Sequence, residues 1–94
     1  MKQVLFNGAK CNVVKSNYQH GNGIALELFK GNELWAIATI NVPDFKLADD
    51  EVIIKDYSEN RGMYKALLDA DIIHPLNRHA SSGFIKAPVC KLKI

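Results

Sequence analysis

The sequence predicts an α+β fold: a mostly antiparallel sheet of about five strands with one helix packed on it. Three observations lead there. Two pairs of apolar-alternating segments are each joined by a two-residue dipeptide, Asn7-Gly8 and Gly31-Asn32, and such dipeptides tolerate the positive φ that tight hairpins demand. One stretch, from Ser58 to Asp71, carries apolar residues at helical spacing. The 94 residues suit one hydrophobic core, hence a single domain.

KQVLFN at 2–7 and AKCNVVKSNY at 9–18 read as the first hairpin, and GIALELFK at 23–30 with ELWAIATIN at 33–41 as the second. Between them QHGNG, 19–23, has two glycines and no period, the composition of a connection. Ile24, Leu26 and Leu28 alternate with Ala25, Glu27 and Phe29. In the partner strand Leu34, Ala36, Ala38 and Ile40 alternate with Trp35, Ile37 and Thr39, so both faces are largely apolar. That pattern predicts a central strand, or one covered on both sides. Pro43 ends the run because it cannot donate to a ladder. DFKLADDE, 44–51, is acidic and aperiodic and is expected to cross the surface, and VIIK, 52–55, reads as a short strand or extended segment.

Ser58 is expected to cap a helix over roughly 59–70, with Glu59 in its first turn. Met63, Leu67 and Leu68 form the stripe to be buried and Tyr64 its edge, while Glu59, Arg61, Lys65 and Asp69 fall toward solvent. Ile72 to Pro75 leave the helix extended, since a residue before proline avoids the α region. LNRHASS, 76–82, then reads as a polar loop, and GFIKAPVCKLKI, 83–94, as a last strand interrupted at Pro88.

Composition narrows the functional classes. A net charge of +2 is far from the Lys/Arg density of a dedicated nucleic-acid binder. The N-terminal apolar run is broken by Asn7 and Gly8, too early for a signal-peptide core. No stretch approaches the roughly 20 apolar residues of a membrane span, so the expectation is a cytoplasmic protein without membrane contact. Cys11 and Cys90 each sit in alternating apolar surroundings and read as buried free thiols. The spacing of His20, His74 and His79 matches no metal motif. Asp49, Asp50 and Glu51 read as solvated carboxylates rather than an acid–base pair. GNG at 21–23 lacks the helix and lysine of a phosphate loop. The reading is therefore no enzyme, no cofactor and no metal.

Two groups remain as candidate binding residues. From Ile72 to the end the chain has Arg78, Lys86, Lys91 and Lys93 and no acidic residue, a basic edge opposed to the acidic 44–59 segment. Within it NRHASSG offers donors from Arg78, His79, Ser81 and Ser82, with Gly83 allowing close backbone approach to a phosphate or carboxylate. Tyr57, Asn60 and Arg61 stand at the expected helix start, where N–H groups also favour an anion. A last strand at the sheet edge leaves pairing across a two-fold axis open, and with it a homodimer.

NVPDFKLADDEVIIKDYSENRGMYKALLDADII followed by GFIKAPVCKL resembles a family of uncharacterised small proteins of phages, plasmids and other mobile elements of gut and soil Firmicutes. The resemblance spans residues 2–93. Family members end the helix with Ala-Gly where this chain has Ala70-Asp71. No catalytic residue carries over. What the resemblance implies is a role in counter-defence: binding and inhibiting a host defence protein or ribonucleoprotein complex, in the manner of an anti-CRISPR inhibitor. The alternatives are a sponge for a small anionic nucleotide and a hydrolase of unusual design.

Overall fold

A computed structural model describes residues 2–21 and 23–94; the expected connection at 19–23 includes Asn22, outside the described residues. The fold is α+β, with seven strands in two antiparallel sheets and one α-helix among the described residues. β1 (Gln3–Phe6), β2 (Ala9–Asn17), β3 (Ile24–Lys30) and β4 (Glu33–Ile37) form the first sheet in that order. β5 (Glu51–Ile53), β6 (Ile73–Ser82) and β7 (Ile85–Leu92) form the second, with β7 in the middle. The helix α1 is Met63–Asp69.

Turn chemistry sets the hairpins. Asn7 and Gly8 both have positive φ, 49° and 77°, as a type I′ turn requires. Gly31 at 62° and Gly83 at 60° start the other two-residue turns with positive φ at the first position alone, the type II′ pattern.

The core lies between the two sheets. Val4, Phe6, Cys11, Val13, Leu26 and Leu28 face inward from the first sheet and meet Val52, Ile54, Ile73, Cys90 and Leu92 of the second, with Met63 and Leu67 of α1. The helix contacts both β1 and β6. The opposite face of the second sheet carries a smaller cluster, Ile53, Ala80, Ala87 and Val89, covered by Ile40, Val42, Phe45 and Leu47. The acidic crossing is thus aperiodic, as its composition suggests, yet it inserts apolar side chains onto the sheet.

Several expectations are corrected. The strand after Gly31 is not central: β4 is the edge of its sheet and ends at Ile37. Between the pairs Leu28↔Ala36 and Phe29↔Leu34, β4 carries Trp35 as an extra residue. This bulge turns Trp35 toward the core cluster, where its Nε1 donates to Phe6 O at 3.1 Å. The outer face of β4 stays apolar without a cover.

The helix starts four residues later than predicted. Ser58 has φ 54° and opens a short 3-10 turn, Ser58–Asn60, and Gly62 at φ 95° separates that turn from α1. The N-terminal acceptor is Asp56, whose Oδ1 receives the N–H of Gly62 at 3.1 Å and of Tyr64 at 2.9 Å. Leu68 is half-buried, so the buried stripe is Met63 and Leu67. At the other end Asp71 N–H donates to Leu68 O and Ile72 N–H to Leu67 O, both at 3.0 Å, a Schellman closure with Asp71 at φ 60° where glycine is usual.

NRHASSG is not a loop. Residues 73–82 are the strand β6, bulged between Pro75 and Arg78 with Asn77 at φ 56°, and only Gly83 and Phe84 turn the chain. The added strand lifts the count above five. The last strand is central rather than an edge, so the two-fold pairing expected there has no free ladder. Pro88 does not interrupt it: its carbonyl accepts from Ile54 N–H at 2.9 Å. A residue's N–H and C=O point to the same side of a strand, so the missing N–H lies toward the end of β5 and leaves the pairing with β6 whole.

Because Leu67 is fully buried and Leu68 is not, Leu67→Ala is expected to cost about 2–5 kcal/mol in urea melts and Leu68→Ala clearly less. Asp71→Gly is expected to raise the midpoint, by removing a left-handed non-glycine residue at the cost of one exposed ion pair with Lys93.

Candidate functional site

The two predicted groups of binding residues lie on different elements. Tyr57 precedes the 3-10 turn, with Lys55 Nζ 5.6 Å from its ring centroid. Asn60 is buried, and its Nδ2 donates to Ile37 O at 2.6 Å. It secures the end of β4 and lines the cleft beside that strand. Arg61 is exposed. The N–H groups of Gly62 and Tyr64 at this turn are taken by the Asp56 carboxylate.

In the second group, His79, Ser81 and Lys86 share one face of the β6–β7 hairpin through the pairs His79↔Pro88 and Ser81↔Lys86. Ser82 and Arg78 lie on the other face. No hydrogen bond or ion pair joins the two groups among the described residues.

Arg78 is committed inside the molecule. Its Nη1 donates to both Glu51 oxygens at 3.1 Å, its Nη2 to Lys46 O at 3.3 Å, and its guanidinium lies 5.5 Å from the Phe45 ring centroid. It pins the acidic crossing to the second sheet. Lys91 pairs with Asp50 at 3.6 Å and Lys93 with Asp71. Three of the four cations of the basic edge are therefore paired, two with the acidic segment they were expected to oppose and Lys93 with Asp71 at the helix end. Of its cations Lys86 has no carboxylate partner among the described residues.

Beside Lys86 the hairpin ends in an unsupported aromatic. Phe84 is fully exposed, at 106%, at the second position of the Gly83-Phe84 turn. It contributes no burial to the fold. Sequence reading passed over it because apolar residues next to glycine in a strand pattern are usually taken as core; the two-residue spacing between Ser82 and Ile85 is the signal that places it at a tip.

An open cleft of about 770 Å³ runs along β4, lined by Tyr18, Leu34, Trp35, Ile37, Lys55 and Glu59 among others. Its polar groups are mostly engaged by the protein itself. Tyr18 Oη and Thr39 Oγ1 are 2.7 Å apart, Asn41 Nδ2 donates to His20 O at 3.1 Å, and Lys55 pairs with Glu59. Burial pushes the Tyr18 hydroxyl above the usual phenol value, against the opposing pull of its Thr39 hydrogen bond. Hydrogen bonding from Lys55 holds the Glu59 carboxyl below its usual range.

No protein-family model, curated protein or solved structure matches the chain.

Among the described residues no helix is long and apolar enough to cross a membrane, and no group of three or more His, Cys, Asp or Glu could hold a metal. Cys11 and Cys90 are free and fully buried. Burial raises the Cys11 thiol against a weaker pull from Lys30, and raises Cys90 to about 11.

Two outcomes follow from these environments. The folded protein at neutral pH should leave Cys90 unreactive toward a thiol reagent, with reaction only after denaturant is added. A thiol whose pKa is raised on folding favours the native state below its unfolded value near 9 and loses that contribution as pH climbs toward about 11. The urea midpoint should fall across that window, and less steeply for Cys90→Ala. Arg78→Glu, placing a carboxylate against Glu51, is expected to cost about 1–2 kcal/mol and to speed amide exchange in the 44–51 segment.

Proposed function

We propose that this chain is a non-enzymatic binding protein of a phage or mobile element that inhibits a host defence protein or ribonucleoprotein complex. Its contact is the tip of the β6–β7 hairpin. One observation carries the reading: a turn that any small polar residue would satisfy displays instead a phenylalanine with nothing to pack against. Aromatic anchors of this kind supply much of the energy of protein interfaces when a partner pocket buries them. Ser81 and Lys86, paired across the ladder just behind it, add a hydroxyl donor and an ammonium for the rim of that pocket.

The same geometry disfavours a nucleotide sponge. Phosphate capture calls for convergent unpaired cations or N–H groups, whereas Arg78, Lys91 and Lys93 are paired and the cleft along β4 holds both Glu33 and Glu59 against Lys55. The reactive side chains likewise have tasks inside the fold: Cys11 and Cys90 are buried, and the Tyr18 hydroxyl is bonded to Thr39.

The test is phage plating on Firmicute hosts whose defence systems restrict that phage, with and without this chain expressed. Wild type should restore plating in a host carrying the targeted system. Phe84→Ala should lower that restoration at least tenfold, and Lys86→Glu several-fold, while urea midpoints stay within about 0.5 kcal/mol of wild type. Equal restoration by Phe84→Ala and wild type would remove the hairpin tip from the interface.

A further inference from the structure

The first sheet carries large apolar side chains on both faces, but the core covers only one. Register places Leu5, Val14, Phe29, Leu34 and Ile37 on the other face, because their neighbours Val4, Val13 and Leu28 point into the core. Leu5 is 69% exposed, Leu34 47% and Ile37 42%. A sheet face of this kind buries itself against another layer.

The charges on the face indicate which layer. Its middle row is Gln3, Asn12, Phe29 and Leu34, polar at the β1–β2 end and apolar at the β3–β4 end. Lys10 stands in the row on one side, beside Leu5, and Glu27 in the row on the other, beside Val14 and Ile37. Neither charge has an ion-pair partner among the described residues. A cation and a carboxylate on opposite sides of one row form a pattern complementary to itself. A two-fold axis running along the middle row lays Phe29 and Leu34 against their own copies. It also brings Lys10 of each copy toward Glu27 of the other, at the roughly 10 Å spacing of packed sheets that a lysine spans.

We propose that this face is covered by a second copy of the chain, packed face to face about that axis. The surface is separate from the hairpin tip, so the dimer would present two Phe84 anchors.

Sedimentation equilibrium of the purified chain, from low micromolar to near millimolar, tests this. The expected result is a rise from the 10.5 kDa monomer to twice that mass. Leu34→Lys and, independently, Leu5→Lys should weaken association at least tenfold. Both positions are exposed, and unchanged melting at low concentration shows that the variants are folded. Lys10→Glu and Glu27→Lys should each weaken it a few-fold, and the double exchange should recover wild-type association. A monomer at every concentration, or a dimer indifferent to Leu34→Lys and Leu5→Lys, would overturn the proposal. Failure of the double exchange to recover would overturn the arrangement about this axis.

Discussion

The backbone of Ala38–Ile40 is bonded on both sides, and the two sheets hold together through it. Ala38 N–H donates to Leu26 O of β3 at 2.8 Å, while Ala38 O accepts from Lys55 N–H at 2.8 Å and Ile40 N–H donates to Ile53 O of β5 at 3.0 Å. Thr39 bridges Ile54, and its Oγ1 receives Leu26 N–H at 3.2 Å and meets the Tyr18 hydroxyl. Buried backbone groups need partners, and here one short segment supplies them to both sheets. Three features follow. β4 must end at Ile37, with Asn60 satisfying its last carbonyl; β5 needs only three residues; and the core runs without a break from Val4 to Leu92.

Much of this was legible in the sequence wherever one local rule was decisive. Asn7-Gly8 and Gly31-Asn32 placed two hairpins because few other dipeptides adopt those φ values. Met63 and Leu67 marked the helix face by spacing. The α+β class followed from these. The errors arose where tertiary context outweighed local pattern. Polar Asn77 to Ser82 looked like a loop because alternate side chains there face solvent or the acidic crossing, and a ladder to β7 leaves no trace in composition. ELWAIATI looked central because a bulge that turns Trp35 inward and the exposed apolar side chains Leu34 and Ile37 both read as burial in the sequence. Ser58 looked like a cap, but the carboxylate that does the capping, Asp56, belongs to the preceding segment.

The candidate site divided along the same line. Charges visible in the sequence proved to be structural: Arg78, Lys91 and Lys93 clamp the crossing and the end of the helix to the second sheet. Exposed charges contribute little singly, but each joins segments far apart in the chain. The large apolar side chains left exposed lie at the hairpin tip and on the outer sheet face.

If Ala38–Ile40 fastens the two sheets into one cooperative unit, native-state hydrogen exchange should say so directly. The amides of Ala38, Ile40 and Lys55 should exchange only through global opening, with the same free energy and denaturant dependence as core amides of both sheets, such as Leu26 and Cys90. Exchange of the second sheet at full protection while these three amides open at lower free energy would contradict it, and would make the sheets separate units that merely touch.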